Sequence, residues 1–374
     1  MIGIYAEAFS GQAARWLARY RWRKPTFICV LSFTETALIP KISAAGQSPQ
    51  DRRRTAAAEG QFIASDYRLD YRLEGGWLNG CGSGCFLPPL AAGVSPAVIT
   101  KAVLRSLKIP FQILCTGLPT ALLAPHINLP QISARDLRSA NAMRVVEAEL
   151  LFRAGLLWGE SLACLSSYVA IGECVVGGTT TAQAVLTGLG YNVTDQMGSS
   201  HLDGNHRQKQ AVVETGISAL RQRYASPLPI EVVAALGDPM QIVVAGIALA
   251  ASRRSGVLLA GGSQMLAVYA LMKALARQYL LDWNKQQVVI GTTRWLIEDR
   301  SANTIAIANQ LGSPYLATKL SFQSSPYMQL RAYERGFIKE GTGAGGCAII
   351  SSLYADWNND QLRHAVEREL PFAY

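Results

Sequence analysis

The sequence predicts an α/β protein in which helices cover both faces of a mostly parallel sheet. Short apolar runs predict buried strands at residues 27–33, 111–115, 167–171, 230–236, 257–260 and 288–290. Helical spacing between most of these runs predicts helices at residues 179–189, 209–224, 241–253, 264–280 and 303–311. Glycines cluster where apolar runs meet helices, as strand-to-helix turns require. Strands that alternate with helices favour a three-layer, Rossmann-like arrangement.

Two regions depart from this alternation. Apolar spacing predicts an amphipathic helix from about Tyr5 to Tyr20. Residues 47–96 are rich in Arg, Gly, Pro and Tyr and include the pair Pro88-Pro89, which a regular helix excludes. This second region is therefore predicted to be a long excursion with little regular structure.

Composition narrows the function class. Of the 374 residues, 49% are hydrophobic, too many for a disordered chain. No run reaches the roughly 18 apolar residues of a membrane span, and the N-terminus lacks the apolar core of a signal peptide, so we expect a cytoplasmic protein. The net charge of +9 reflects arginines near the N-terminus. A solvated surface is the favoured explanation, and nucleic-acid binding is the less favoured one.

The seven cysteines do not indicate a metal site. Their number is odd and most lie in apolar runs, which favours reduced thiols in the core. Cys81 and Cys85 form a pair without a second pair or a neighbouring His. We therefore expect neither a metal nor a cofactor.

Ligands of parallel sheets bind beyond the carboxyl ends of the strands, so glycine-rich loops there are candidate sites. The first loop contains Gly177 and Gly178, followed by Thr179, Thr180 and Thr181 at a predicted helix start. Free N–H groups and the helix dipole favour an anion at such a start. An ordinary threonine N-cap would need one threonine, and three in a row favour a phosphate.

Two further loops are compatible with a nucleotide. Ser199, Ser200 and Lys209 have the donors to hold a phosphate or ribose, although an ordinary polar loop is favoured on these residues alone. The segment 259–264, with two glycines between an apolar run and a helix, permits close approach to a flat ring or a sugar. By contrast, Asp238 and Pro239 are fully explained as the N-cap and first residue of a helix.

The last loop, residues 339–346, combines a carboxylate with four glycines. Its G-x-G-x-x-G pattern fails as a dinucleotide fingerprint, because no apolar strand precedes it and too little chain follows. Glu340 either caps the following helix or, if a ligand fills the loop, is the best-placed general base in the chain.

In this order, the loops resemble those of the nicotinate-nucleotide:dimethylbenzimidazole phosphoribosyltransferase family. The resemblance spans about residues 27–351. Residues 173–182 resemble the family's Gly-Glu-Met-Gly-Ile-Gly-Asn-Thr-Thr stretch, and residues 340–344 match its Glu-Gly-Thr-Gly-Ala stretch, whose Glu is the family's general base. Weaker likenesses lie at Lys209, at residues 256–271 and at Ser301.

The closest likeness is to one branch of that family. Its motifs Gly-Gly-Thr-Thr-Thr-Ala, Leu-Gly-Asp-Pro-Met, Leu-Ala-Gly-Gly-x-Gln-Met and Lys-Glu-Gly-x-Gly-Ala-Gly-Gly stand here from Gly177, Leu236, Leu259 and Lys339. The chain departs from the enzymes at Phe337, where they have an Arg, at Lys339, where they have a Gly, and at Ala260, where they have an Asp. Their Asp-His-Gly segment has only a loose counterpart here, in residues 34–36. These departures affect the expected substrate more than the expected fold.

The resemblance implies transfer of phosphoribose from nicotinate mononucleotide to a benzimidazole-type base, the step that supplies the lower ligand of cobamides. It assigns catalysis to Glu340 and Glu173. It assigns phosphate and nucleotide binding to Gly177, Gly178, Thr179, Thr180, Thr181, Ser199, Ser200, Lys209, Ser301, Lys339, Gly341, Thr342 and Gly343, and base binding to Thr34, Glu35, Gly261, Gly262 and Gln264. Two alternatives stay open: a nucleotide-binding protein without turnover, and a transferase or hydrolase for another nucleotide.

The resemblance also implies an organisation and partners. We expect an N-terminal helical segment at residues 1–25, an α/β nucleotide-binding domain at residues 26–353 and a C-terminal helical tail at residues 354–374, with the two ends forming a small helical subdomain. Nicotinate mononucleotide and an aromatic base are the expected ligands, and a homodimer is the expected assembly.

Overall fold

The computed structural model describes residues 3–65, 69–72, 76–79, 86–88, 90, 92–199, 201 and 204–370. The strands are β1 Ile4–Ala8, β2 Thr26–Ser32, β3 Leu69–Arg72, β4 Gly76–Asn79, β5 Phe86–Leu87, β6 Phe111–Thr116, β7 Ile127–Asn128, β8 Tyr168–Cys174, β9 Gly256–Ala260, β10 Val288–Thr293 and β11 Tyr315–Thr318. The helices are α1 Ser10–Tyr20, α2 Pro49–Ala64, α3 Ala97–Ser106, α4 Val145–Leu162, α5 Gly178–Gly188, α6 His206–Arg223, α7 Pro229–Leu236, α8 Pro239–Ala251, α9 Ser263–Gln278, α10 Arg294–Ile297, α11 Thr304–Leu311, α12 Met328–Glu334, α13 Ala344–Ala355 and α14 Asn359–Glu367.

The main sheet has the strand order β1-β11-β10-β9-β8-β2-β6-β7. All neighbours pair in parallel except β1, which runs antiparallel to β11 at one edge. A separate antiparallel sheet contains β3, β4 and β5. The predicted fold class, a mostly parallel sheet between helices, is confirmed.

Alternate residues of the central strand β2 enter two different cores. Ile28 and Val30 join a cluster with α4, α5, α7, α8 and α9 on one face of the sheet. Phe27, Cys29 and Leu31 join a cluster with α1, α3, α13 and α14 on the other face. Successive side chains of a strand point to opposite sides of the sheet, so the two clusters lie on opposite faces. Helices therefore cover both faces. No helix in the described ranges is long and apolar enough to cross a membrane.

The predicted strand at residues 230–236 is wrong, because this segment is helix α7. Pro229 occupies its first turn, and the Glu231 carboxylate accepts a hydrogen bond from the Leu228 backbone N–H at 2.7 Å. Nearly all of its side chains are buried between other helices. A helix that is buried on nearly every side lacks the regular spacing of polar residues that marks a helix. Its continuous apolar run therefore has the same pattern as a buried strand.

The predicted helix from Tyr5 to Tyr20 is correct only in its second part. Residues Ile4–Ala8 form an edge strand, and Phe9, with a left-handed φ of 51°, turns the chain into α1 at Ser10. Residues 4–8 form a strand because their backbone groups pair with β11. The spacing of apolar residues within this segment cannot indicate a partner so far along the chain. The division into three sequence domains stays a prediction.

The excursion predicted at residues 47–96 is also partly wrong, because Pro49–Ala64 is the 16-residue helix α2. Ser48 and Asp51 form a reciprocal capping box at its start. Part of this segment lies outside the described residues. This helix carries Glu59, a carboxylate that lines the cleft described below.

Candidate active site

A cleft of about 190 Å³ lies beside the carboxyl end of β8, where α5, α9 and the loop before α13 meet. Its wall consists of residues 42–45, 173–180, 198–199, 262–264 and 337–342, together with Thr55, Glu59, Leu90, Pro96, Lys209 and Leu296. Most of the candidate residues from the sequence therefore converge on one place. This position is the one expected for a ligand site in a parallel sheet.

The glycine-threonine loop enters helix α5 at the cleft, as predicted. Gly177 is the N-cap residue with a left-handed φ of 79°, and a Cβ there would lie 3.1 Å from the Ala37 nitrogen. Thr179 and Thr180 line the cleft. Thr181 instead turns inward, where its hydroxyl donates to Asp238 Oδ2 at 2.6 Å. The helix start therefore faces the cleft, while its third threonine belongs to the core.

One end of the cleft is basic. Lys209 is buried at 1% exposure, and its ammonium donates to the Gly198 carbonyl at 3.0 Å. The Gly198 N–H in turn donates to Ser263 Oγ at the start of α9. Burial and the neighbouring Lys339 charge lower the pKa of Lys209 to about 7. An anion at this end would restore the positive charge on Lys209.

Lys339 reaches the cleft but already has a counter-ion. Its ammonium lies 2.6 Å from Asp299 Oδ2, and both side chains are buried. Ser301 donates to Asp299 Oδ1 through its hydroxyl and its N–H. Although burial alone would raise it, the hydrogen bonds from Lys339 and Ser301 hold the pKa of Asp299 below its usual range. Ser301 thus fixes Asp299 behind Lys339 and is not part of the described cleft wall.

The other end is acidic. Glu173, at the end of β8, accepts a hydrogen bond from Gln264 Nε2 at 2.8 Å. Burial raises the pKa of Glu173 well above its usual range, and the charges of Asp238, Glu59 and Glu340 raise it further. A carboxyl group in this condition has a high affinity for protons and for positive charge.

Glu340 accepts four hydrogen bonds from described residues. Oε1 accepts from the Gly341 and Gly345 N–H groups at 3.0 and 3.1 Å, and Oε2 accepts from the Thr292 hydroxyl and the Thr293 N–H at 2.8 and 2.9 Å. Because Gly345 lies in the first turn of α13, Glu340 does cap that helix. Burial raises the pKa of Glu340 even though these hydrogen bonds lower it.

Sequence reasoning missed a third carboxylate, Glu59. It lies on α2 at 8% exposure and lines the cleft. Ser95 Oγ donates to its Oε1 at 2.7 Å, and the Thr342 hydroxyl donates to its Oε2. The Ser48–Asp51 capping box was a signal for the helix, but nothing in the sequence marked this acid.

Several predicted site residues lie outside the described cleft wall: Thr34, Glu35, Thr181, Gly261, Ser301 and Gly343. Thr34 caps a short 3-10 turn by accepting from the Thr36 N–H, and Glu35 is exposed. Gly343 supplies a left-handed turn, with a φ of 77°, before α13. Ser200 lies outside the described residues. Their proposed roles stay predictions.

The structure also shows what surrounds two positions at which the chain departs from the enzymes that it resembles, Phe337 and Ala260. Phe337 lines the cleft as a half-buried apolar wall. Ala260 is fully buried beneath α13, where a Cβ on Gly346 would lie 2.2 Å from its own Cβ. The packing at Ala260 leaves little room for a larger side chain such as Asp.

This chain is similar to known proteins in sequence and in fold. Residues 119–283 match a family model described as Phosphoribosyltransferase. A UPF0284 protein from Microcystis aeruginosa is 48% identical over 373 residues, an alignment that covers 100% of this chain and 99% of that protein. Another from Trichodesmium erythraeum is 47% identical over 372 residues, covering 98% of this chain and 97% of that protein.

Two solved structures share the fold. The crystal structure of nicotinate-nucleotide-dimethylbenzimidazole phosphoribosyltransferase from Thermus thermophilus matches with a TM-score of 0.59 and 15% identity, covering 96% of this chain and 86% of that one. A structure of CobT from the same organism gives a TM-score of 0.60 at 15% identity, with 96% and 87% covered. At this identity the likeness concerns the fold. The Microcystis and Trichodesmium proteins are 47–48% identical to this chain over nearly its whole length, which shows that it belongs to the UPF0284 family.

Proposed function

We propose that this protein is a phosphoribosyltransferase that moves phosphoribose from nicotinate mononucleotide to a benzimidazole-type base. The observation that carries the proposal is the polarity of the cleft. Lys209 and Lys339 lie close enough for their charges to interact, and Glu173 interacts in the same way with Glu59 and Glu340. These two groups line one cleft, together with the starts of α5 and α9. A phosphate fits the basic end, and a sugar carbon that becomes positive fits the acidic end.

The chemistry needs few catalytic groups. The bond between the pyridinium nitrogen and C1′ of ribose breaks, and its electron pair neutralises the departing ring, so no general acid is required. An acceptor ring nitrogen forms a new bond to C1′. The acceptor's other N–H then loses its proton to a carboxylate. Glu173 would stabilise the positive charge on the sugar, and Glu340 would take the proton.

Glu340 can act as this base if one of its hydrogen bonds yields. A carboxylate has about four lone-pair sites, and Glu340 uses four. Three of the donors are backbone N–H groups with fixed directions. The fourth is the Thr292 hydroxyl, which can rotate and release one lone pair of Oε2. The raised pKa of Glu340 favours its accepting a proton at that moment.

The phosphate would be held mainly at the basic end. Lys209 contributes a buried ammonium that bonds the Gly198 carbonyl, and Ser199, Ser263 and the N-terminus of α9 line the same cleft. Lys339 contributes charge that Asp299 partly neutralises. This anchoring would align C1′ with the acceptor, and alignment supplies much of the rate in reactions between two bound molecules.

The test is incubation of the purified protein with nicotinate mononucleotide and a panel of aromatic bases, analysed by mass spectrometry. A new ribotide, together with free nicotinate in equal amount, supports the proposal. Binding of nicotinate mononucleotide without a ribotide would assign the protein to the nucleotide-binding class. Free nicotinate without a ribotide would instead indicate a hydrolase. The expected homodimer is tested by light scattering.

A further inference from the structure

We propose that Gln264, together with Glu173 and Thr180, forms the subsite for the sugar hydroxyls and selects ribose over sugars with altered hydroxyls. This inference rests on the proposed function, because it assigns the centre of the same cleft to the sugar of a phosphoribosyl group. It gives Gln264 a contact with the sugar, where the resemblance had implied a contact with the base.

Two polar atoms in this part of the cleft lack a hydrogen-bond partner among the described residues. One is Gln264 Oε1, on a side chain that is 8% exposed, and the other is Thr180 Oγ1, on a side chain that is fully buried. Both residues line the cleft. Buried polar groups in proteins are nearly always paired, so each is expected to pair with a ligand.

The orientation of Gln264 is fixed from two sides. Its Nε2 donates to Glu173 Oε2, which leaves Oε1 as the free acceptor. Its carboxamide also lies against Gly178, where an added Cβ would come within 2.2 Å of Nε2 and 2.4 Å of Oε1. The cleft therefore presents an amide oxygen and a carboxylate side by side, and the Thr180 hydroxyl belongs to the same wall. Hydroxyl groups of a sugar can donate to the first two and either donate to or accept from the third.

The position along the cleft selects the sugar as the occupant. Ser263, adjacent in sequence, contacts Gly198 at the basic end through its hydroxyl, while Gln264 contacts Glu173 at the acidic end. A phosphoribosyl group that spans these ends has its phosphate at the lysines and its reacting carbon at the carboxylates. Its hydroxyl-bearing carbons then lie beside Gln264.

The experiment measures binding of four sugar phosphates by calorimetry: ribose 5-phosphate, its 2-deoxy form, arabinose 5-phosphate, which is inverted at C2, and xylose 5-phosphate, which is inverted at C3. The wild-type protein is expected to bind ribose 5-phosphate at least about 10-fold more tightly than one or more of the others. Gln264→Met, which keeps the length but removes the amide, is expected to weaken ribose 5-phosphate by about 10- to 100-fold and to abolish the preference.

A second variant moves the Gln264 carboxamide without replacing residue 264. Gly178→Ala is compatible with the helical backbone at that position, but its methyl group must displace the Gln264 carboxamide. It is expected to remain folded, which a cooperative thermal transition checks, and to lose the ribose preference. The matched control is Gln183→Met, a buried glutamine of the same helix that bonds Gln210 outside the cleft wall. This control is expected to keep the preference.

Equal affinity of the wild type for all four sugars would overturn the inference, as would a preference that survives in Gln264→Met, or no binding of ribose 5-phosphate. These outcomes are independent of turnover. Ribotide formation without sugar preference would leave the proposed function standing and remove the sugar subsite. A ribose preference without ribotide formation would support the subsite and reject the transferase.

Discussion

Replacing Glu340 by Gln is expected to destabilise the fold as well as to remove the candidate base. The carboxylate accepts two hydrogen bonds on each oxygen, and three of the four donors are backbone N–H groups. A carboxamide accepts only on its oxygen, so its NH₂ group must face two of these donors. The least costly orientation turns the NH₂ toward Thr292, whose hydroxyl can rotate and accept, and leaves the Thr293 N–H unpaired.

The magnitude follows from this geometry. One buried, unpaired N–H costs about 1–3 kcal/mol, and the two surviving bonds lose the strength that a charged acceptor gives them. Removing a buried charge offsets part of the loss, because burial raises the pKa of Glu340 and therefore disfavours its ionised form. We expect a net loss of about 1–3 kcal/mol in the free energy of unfolding.

The assay is urea unfolding at pH 7 of the wild type and of two isosteric variants. Glu59→Gln is the matched control, because Glu59 lines the same cleft but is held by the hydroxyls of Ser95 and Thr342. Hydroxyls can both donate and accept, so they can pair again with a carboxamide, and the control is expected to lose less than about 1 kcal/mol. Equal unfolding midpoints for Glu340→Gln and the wild type would refute this reasoning, as would equal losses in the two variants.

Three further predictions concern buried charges. Burial raises the pKa of Asp238 from 3.8 to about 6, so protonation of this carboxylate favours the folded state. The free energy of unfolding should therefore fall as the pH rises from about 4 to 6. Asp238→Asn should flatten this fall by at most about 3 kcal/mol, and parallel unfolding curves would contradict it. Because the pKa of Lys209 is about 7, nucleotide binding near pH 7.5 should take up protons, measurable by calorimetry in buffers of different ionisation enthalpy, and Lys209→Met should lose this uptake. Lys339→Met should cost about 3–5 kcal/mol in denaturant unfolding, because it leaves the Asp299 carboxylate without its counter-ion. Adding Asp299→Asn should recover most of this loss, and a double variant as unstable as the single one would reject the ion pair as the cause.

The sequence by itself determined five strands of the main sheet, β2, β6, β8, β9 and β10, and most of the loops that line the cleft. The spacing of apolar residues and the composition indicate whether a segment is buried and on which side. This information was enough to predict strands β2, β6 and β8 and the helix after Gly177. The same information failed for α7, because a wholly buried helix and a buried strand are both continuously apolar. It failed again at β1, where pairing with a strand far along the chain decided the conformation.

Only the tertiary structure decided which charges meet. Lys339 lines the cleft, but its counter-ion there is Asp299, 40 residues away. Glu59 joins the site through Thr342, 283 residues away, and Gln264 joins Glu173 across 91 residues. Such contacts depend on side-chain directions after the helices and strands have packed, and a linear pattern does not contain those directions. The sequence therefore supplied the acids, amides and cations of the site, and the packing of α2, α5, α9 and α13 decided which of them can act together.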